Sequence, residues 1–122
     1  MPRVVHFEFP VDDPDRATKF YQQVFGWEIS KWGGPMDYWL AGTGAKDAPG
    51  INGAFMRRSQ EFNQTVNTID VPSLDEYMTK ITASGGSVVS PRTTIPTIGY
   101  FAYCTDTEGN VFGIIQFDPS AK

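Results

Sequence analysis

The sequence contains one cysteine and one histidine, no long apolar run, and no basic cluster larger than Arg57-Arg58. A single thiol, Cys104, cannot close an internal disulfide. No segment approaches the roughly 20 apolar residues that a membrane-spanning helix needs. The net charge of -4, together with the lack of a basic patch, argues against nucleic-acid binding. These absences predict a protein with neither nucleic-acid nor membrane partners.

The N-terminal residues lead directly into a strand pattern, without the charged and apolar segments of a secretory signal. A lone thiol is also typical of a reducing compartment, so we expect a cytoplasmic protein. The 122 residues fit one domain. A hydrophobic content of 40% is enough to build a core without disulfides or structural metal. We therefore expect a single domain over residues 1–122.

The histidine, His6, lies in the first strand pattern, at residues 3–11. Successive strand side chains alternate between faces, so His6 and Glu8 share one face and the apolar side chains share the other. Asp12 and Asp13 can each cap a following helix, and Pro14 suits its first turn. The first strand therefore presents an imidazole beside a carboxylate, which predicts either an active site or a polar cleft.

The strand and helix pattern of the first half is repeated in the second half. Adding 60 to a position takes Val11 to Val71 and Gly26 to Gly86, and the same shift relates further pairs. Each half reads as strand, helix, strand, strand, strand, which is an α+β arrangement. The apolar stripe predicted for the first helix comprises Ala17, Phe20, Tyr21, Val24 and Phe25. We assign module one to residues 1–58, a linker to 59–64 and module two to 65–118.

This doubled pattern resembles the vicinal-oxygen-chelate superfamily, which includes glyoxalase I, bleomycin-resistance proteins and extradiol dioxygenases. The stretches that carry the resemblance are Phe7 to Trp27, Pro49 to Arg57 and Asp106 to Gln116. The resemblance implies two βαβββ modules that form a cupped mixed sheet around a central site, usually in a homodimer. It leaves open whether the cup pairs modules of one chain or of two.

In metal-dependent relatives, four strand positions supply the metal ligands, and the resemblance assigns one of them to His6. The other three positions hold residues that cannot bind a metal: Gly53 or Ala54, Val66, and Gly113. Glu8 could serve as a second ligand, and Asp70 as a third if its side chain faces the site. Catalytic metal sites usually need about three protein ligands. We therefore expect no metal cofactor.

His6 and Glu8 are the candidates for acid–base chemistry, because a nearby carboxylate raises the pKa of an imidazole and can orient it. The alternative is a polar pair that lines a cleft and only binds a ligand. Cys104 is expected to pack as a small hydrophobic residue. Aromatic side chains in the third strand of each module suit a flat ligand, with Tyr38 and Tyr100 on the alternate faces. The predicted ligand-binding residues are His6, Glu8, Trp39, Asn52, Met56, Arg57, Phe101 and Tyr103.

The expected function is that of a glyoxalase- or bleomycin-resistance-like protein that binds a small organic molecule in a metal-free cup. Whether it catalyses a reaction is left open. The alternative is a metal-dependent lyase, isomerase or dioxygenase that uses His6 with unrecognised ligands. A third possibility is a dimeric protein whose cup is filled and holds no ligand.

Overall fold

The computed structural model describes all 122 residues and contains two helices and nine strands. In chain order they are β1 (Val4–Val11), α1 (Pro14–Phe25), β2 (Glu28–Lys31), β3 (Tyr38–Gly42), β4 (Gly53–Arg57), β5 (Val66–Asp70), α2 (Leu74–Ala83), β6 (Ser87–Val88), β7 (Thr93–Ile95), β8 (Gly99–Thr105) and β9 (Val111–Phe117). The predicted α+β class is confirmed, and β7 is an additional short strand that the sequence did not indicate. Neither helix is long and apolar enough to cross a membrane.

The chain divides into two compact units, which we describe separately. The first unit is residues 6–66, and the second unit is residues 1–5 together with 67–122. The predicted linker, residues 59–64, lies within the first unit and contains no helix or strand.

The strands of the first unit are ordered β2-β3-β4-β1, with β1 parallel to β4 and the other pairs antiparallel. The register places Glu8 opposite Ala54 and Ala54 opposite Leu40. Two residues along, Pro10 lies opposite Met56 and Met56 opposite Tyr38. Because directly opposed residues share a face, one face carries His6, Glu8, Tyr38, Leu40, Ala54 and Met56. We call it the His6 face.

Helix α1 begins and ends as its sequence predicts. The Asp13 side chain accepts a hydrogen bond from the backbone N–H of Arg16 at 3.1 Å, and Pro14 occupies the first turn. Gly26 ends the helix with a φ of 73°, a left-handed conformation that glycine adopts without steric cost. These local signals fix the helix boundaries.

The apolar stripe of α1 is only partly buried. Tyr21 packs against Phe9, Trp27 and Phe55 on the face of the sheet opposite the His6 face, with ring centroids 4.8 to 5.6 Å apart. Three other members of the stripe remain exposed: Phe20, Val24 and Phe25. The flank of α1 that carries these three side chains is therefore exposed to solvent.

In the second unit β5 is parallel to β9, and β8 pairs with β9, β6 and β7. Thr68 lies opposite Gly113 and Gly113 opposite Tyr103, while Ile115 lies opposite Phe101. We call the face with Thr68, Phe101, Tyr103, Gly113 and Ile115 the Thr68 face. The opposite face packs against α2 in a core of Val71, Leu74, Ala102, Cys104 and Ile114. The expected packing of Cys104 is confirmed, and burial raises the pKa of its thiol.

Candidate functional site

Three polar side chains on the His6 face form a hydrogen-bonded chain. The Tyr38 hydroxyl donates to Glu8 Oε2 at 2.6 Å and lies 2.8 Å from His6 Nε2. His6 and Glu8 reach this point because they alternate along β1, and Tyr38 joins them from β3 across β4. The structure therefore brings together the predicted pair and links it through a tyrosine that the sequence did not single out.

Burial is the main influence on the pKa of His6 in this network. Glu8 is 4% exposed, and His6 is half-buried. Removal from solvent lowers the pKa of His6 below the ordinary value of 6.5, and the charge of Glu8 only partly offsets this effect. The expectation that Glu8 raises the pKa of His6 overall is therefore wrong in direction. At neutral pH the imidazole is uncharged.

Apolar groups surround the network on the same side of the sheet. Leu40 is 40% exposed although it lies in the middle of β3, whereas Ala54 and Met56 are buried. The Trp32 ring meets the Tyr38 ring edge-on, with centroids 5.9 Å apart. The polar network therefore lies beside an apolar side chain that is partly exposed.

Trp39 and Arg57 lie on the opposite face from His6. Trp39 is opposite Phe55 in the register, and the Arg57 guanidinium stacks over the Trp39 ring at 5.4 Å. Arg57 Nε also donates to Asp37 Oδ2 at 3.0 Å, and with Lys31 it holds the pKa of Asp37 below its usual range. Their predicted role in ligand binding stays a prediction, but the structure does not bring them to the His6 face.

Asn52 is engaged in holding a loop. Its side-chain oxygen accepts from the backbone N–H of Thr43 at 2.9 Å, while the Thr43 hydroxyl donates to the Ile51 carbonyl at 2.6 Å. The loop encloses a surface hollow of about 260 Å³. The hollow is lined by Thr43, Gly44, Ala45, Lys46, Ala48, Pro49, Gly50 and Asn52. None of the three network residues lines it, so we do not assign the function to this hollow.

On the Thr68 face of the second unit, aromatic packing replaces the polar network. A Cβ atom added at Gly113 would lie 2.6 Å from Phe101 Cζ, so the Phe101 ring fills the space that a side chain at this position would need. Tyr103 meets that ring edge-on, with centroids 4.6 Å apart. The Thr68 hydroxyl is buried and has no hydrogen-bond partner.

The residues present do not fit a metal ion of the kind that the resemblance implies. No group of three or more histidine, cysteine, aspartate and glutamate side chains is placed to hold one. The register puts Ala54, not Gly53, on the His6 face. The Asp70 carboxylate accepts a hydrogen bond from the Arg3 backbone N–H at 3.0 Å, which commits one of its oxygens to the chain. These side chains therefore do not supply the three protein ligands that a catalytic metal usually needs.

Comparison with known proteins agrees with this architecture. Residues 3–38 match the family described as bleomycin resistance protein-like N-terminal, and this segment contains His6, Glu8 and Tyr38. No protein of curated function matches the chain in sequence.

Solved structures share the fold at low sequence identity. A methylmalonyl-CoA epimerase from Mycobacterium tuberculosis has 13% identity and a TM-score of 0.71, covering 95% of this chain and 88% of that one. Another, in complex with methylmalonyl-CoA and NH4+, has 11% identity and a TM-score of 0.72, covering 100% and 99%. A Streptomyces coelicolor epimerase variant in complex with 2-nitronate-propionyl-CoA has 12% identity and a TM-score of 0.70, covering 98% and 97%. The chain therefore shares the fold of these epimerases, and its N-terminal segment is similar to the bleomycin resistance protein-like N-terminal family.

Proposed function

We propose that this protein binds a small organic molecule on the His6 face of the first unit, without a metal ion. The observation that carries the proposal is the hydrogen-bonded chain of His6, Tyr38 and Glu8. A buried carboxylate is costly to keep in a fold, and such groups concentrate at binding and catalytic sites. The exposed Leu40 beside the network provides an apolar contact for a ligand.

The structural neighbours support a small organic ligand, since two of them hold coenzyme A derivatives. At 11 to 12% identity they support the fold and not a particular substrate for this chain. A second candidate function is proton transfer by the same residues. It is favoured by the uncharged, half-buried imidazole, whose lowered pKa leaves it free to accept a proton at neutral pH.

The metal-free part of the proposal is tested by elemental analysis of purified protein after incubation with zinc, nickel, manganese or iron(II) and gel filtration. We expect far less than one equivalent of any metal in the wild type and in His6→Gln. About one equivalent in the wild type that is lost in His6→Gln would instead support a metal-dependent lyase, isomerase or dioxygenase.

The binding part is tested with a library of small aromatic fragments and Tyr38→Phe. Removing the hydroxyl breaks the link between His6 and Glu8, so we expect hits to bind about tenfold more weakly, which corresponds to roughly 1.4 kcal/mol. Tyr77→Phe, which deletes a hydroxyl on α2 in the second unit, is the matched control and should bind like the wild type. Equal binding by all three proteins would contradict the proposal.

We also propose that the protein is a cytoplasmic homodimer. The exposed apolar side chains of α1, among them Phe20 and Val24, support an association surface. Light scattering at several concentrations would measure the assembly, and Phe20→Lys should shift it toward the monomer. A monomeric wild type would contradict the proposal.

A further inference from the structure

We infer that Nδ1 of His6 is the hydrogen-bond acceptor and base that meets the ligand, so that the site selects molecules presenting an N–H or O–H group. This inference rests on the proposed binding function and adds the chemical class of the ligand. It follows from the positions of the hydrogen atoms in the network of His6, Tyr38 and Glu8.

The tyrosine determines which imidazole nitrogen carries the proton. A phenol has one hydrogen to donate, and Tyr38 gives it to Glu8 Oε2 at 2.6 Å. With that hydrogen directed at Glu8, the phenol oxygen can only accept a hydrogen bond from the imidazole. The 2.8 Å contact between His6 Nε2 and the Tyr38 oxygen must therefore use a hydrogen on Nε2. In an uncharged imidazole the lone pair then lies on Nδ1.

Nδ1 is open to a ligand. No group of the chain donates a hydrogen bond to it. His6 is only half-buried, so its ring is not fully enclosed by the chain. The lowered pKa of His6, caused by burial, agrees with a free lone pair at neutral pH.

The other two groups of the network are less available to a ligand. Glu8 is 4% exposed and already accepts from Tyr38. The Tyr38 hydrogen is committed to Glu8, and its oxygen accepts from His6. A donor on the ligand therefore finds its acceptor at His6, while Leu40 and the Trp32 ring next to Tyr38 suit a flat apolar body.

The same geometry allows proton transfer when the ligand group is sufficiently acidic. The N–H or O–H bond of the ligand breaks, its electron pair stays on the ligand, and the proton bonds to Nδ1. The resulting imidazolium keeps its Nε2 hydrogen on Tyr38, which keeps its own hydrogen on Glu8. The carboxylate charge then stabilises the imidazolium through the phenol.

The assignment can be tested directly because His6 is the only histidine. Protein with ¹⁵N-labelled histidine is examined by long-range ¹H–¹⁵N NMR at neutral pH, alone and with indole or 1-methylindole. These molecules differ in one N–H group. We expect a protonated Nε2 and an unprotonated Nδ1, with indole shifting the Nδ1 resonance and binding about tenfold or more tightly than 1-methylindole.

A proton on Nδ1 in the free protein would overturn the inference, as would equal binding of both molecules without an Nδ1 shift. Failure of both to bind would also overturn the inferred ligand class, whereas the proposed binding function stands or falls on the fragment screen. In Tyr38→Phe we expect mixed tautomers and loss of the preference for indole. Tyr77→Phe should retain both properties, which separates the network from a general effect of hydroxyl deletion.

Discussion

On the His6 face of the first unit Tyr38 bonds to Glu8, whereas on the Thr68 face of the second unit Phe101 lies over Gly113. These positions correspond, because each unit pairs its strands in the same way. Glu8 lies opposite Ala54 as Thr68 lies opposite Gly113. By the same register Tyr38 corresponds to Phe101, since they lie opposite Met56 and Ile115.

The Tyr38 hydroxyl is one of the differences between the two faces. Tyr38 has a hydroxyl that joins a carboxylate to an imidazole, while Phe101 has none, and the Thr68 hydroxyl beneath it is left without a partner. The same strand pairing therefore carries a polar network in the first unit and packed aromatic rings in the second. The comparison supports our proposal that the ligand binds on the first unit.

The largest expected effect is the loss of stability when a buried side chain on the helix-facing side of each unit is truncated. It tests whether both units have a well-packed core there. Phe55 and Ile114 are both fully buried there. We expect Phe55→Ala to lower the free energy of unfolding by about 3–5 kcal/mol and Ile114→Ala by about 2–5 kcal/mol. Urea unfolding would measure both. A loss below about 1 kcal/mol in either variant would break the equivalence of the two cores.

The next prediction concerns the close packing around Gly113. An alanine there would place its Cβ 2.6 Å from Phe101 Cζ and 2.9 Å from Thr68 Oγ1. We expect Gly113→Ala to cost about 1–3 kcal/mol, because the ring must move. Combining it with Phe101→Leu should relieve part of this cost, which a double-mutant cycle in urea would detect. Strict additivity would show that the ring does not fill this space.

Removal of a single hydroxyl should lower the free energy of unfolding on the His6 face but not on the Thr68 face. Tyr38→Phe is expected to destabilise the protein by about 1–2 kcal/mol, since it takes a donor from buried Glu8. Thr68→Val should be neutral or stabilise by up to about 1 kcal/mol, because its hydroxyl has no partner to lose. Thermal or urea unfolding of both variants would measure these changes in stability. Equal losses would argue that Thr68 also belongs to a polar network.

The smallest predicted effect is a pH dependence of stability that arises from His6. Burial lowers its pKa in the folded protein, so the unfolded chain binds a proton more readily. Stability should therefore be greatest above pH 6.5 and fall as the pH drops from this value through the folded pKa. His6→Gln should lose this part of the dependence when unfolding is measured across the range. A wild type that becomes more stable in this window would contradict the burial effect.

The ends of α1 and the alternation of side chains along β1 could be predicted because their causes are local. Asp13, Pro14 and Gly26 mark α1 through capping, fixed backbone geometry and a left-handed turn. The pairing of His6 with Glu8 on one face followed from strand alternation alone. By contrast, the exposure of Phe20 and Val24 could not be predicted, because both residues fit the helical period whether or not the sheet reaches them.

The role of Tyr38 could not be predicted, because it depends on register across two strand pairs. Alternation correctly separates Tyr38 from Trp39, but it does not say which of them shares a face with His6. That information lies in the pairing of β3 with β4 and of β4 with β1. The direction of the His6 pKa shift was missed for a similar reason, since burial is a property of the packed structure.

The most direct test of the account is an amide NMR map of the protein with its best-binding aromatic fragment. We predict that the largest shifts fall in the first unit, in β1, at Tyr38 and Leu40 of β3, and in β4, and that the His6 ring resonances move with them. Largest shifts in β8 and β9, with an unchanged His6, would contradict the account.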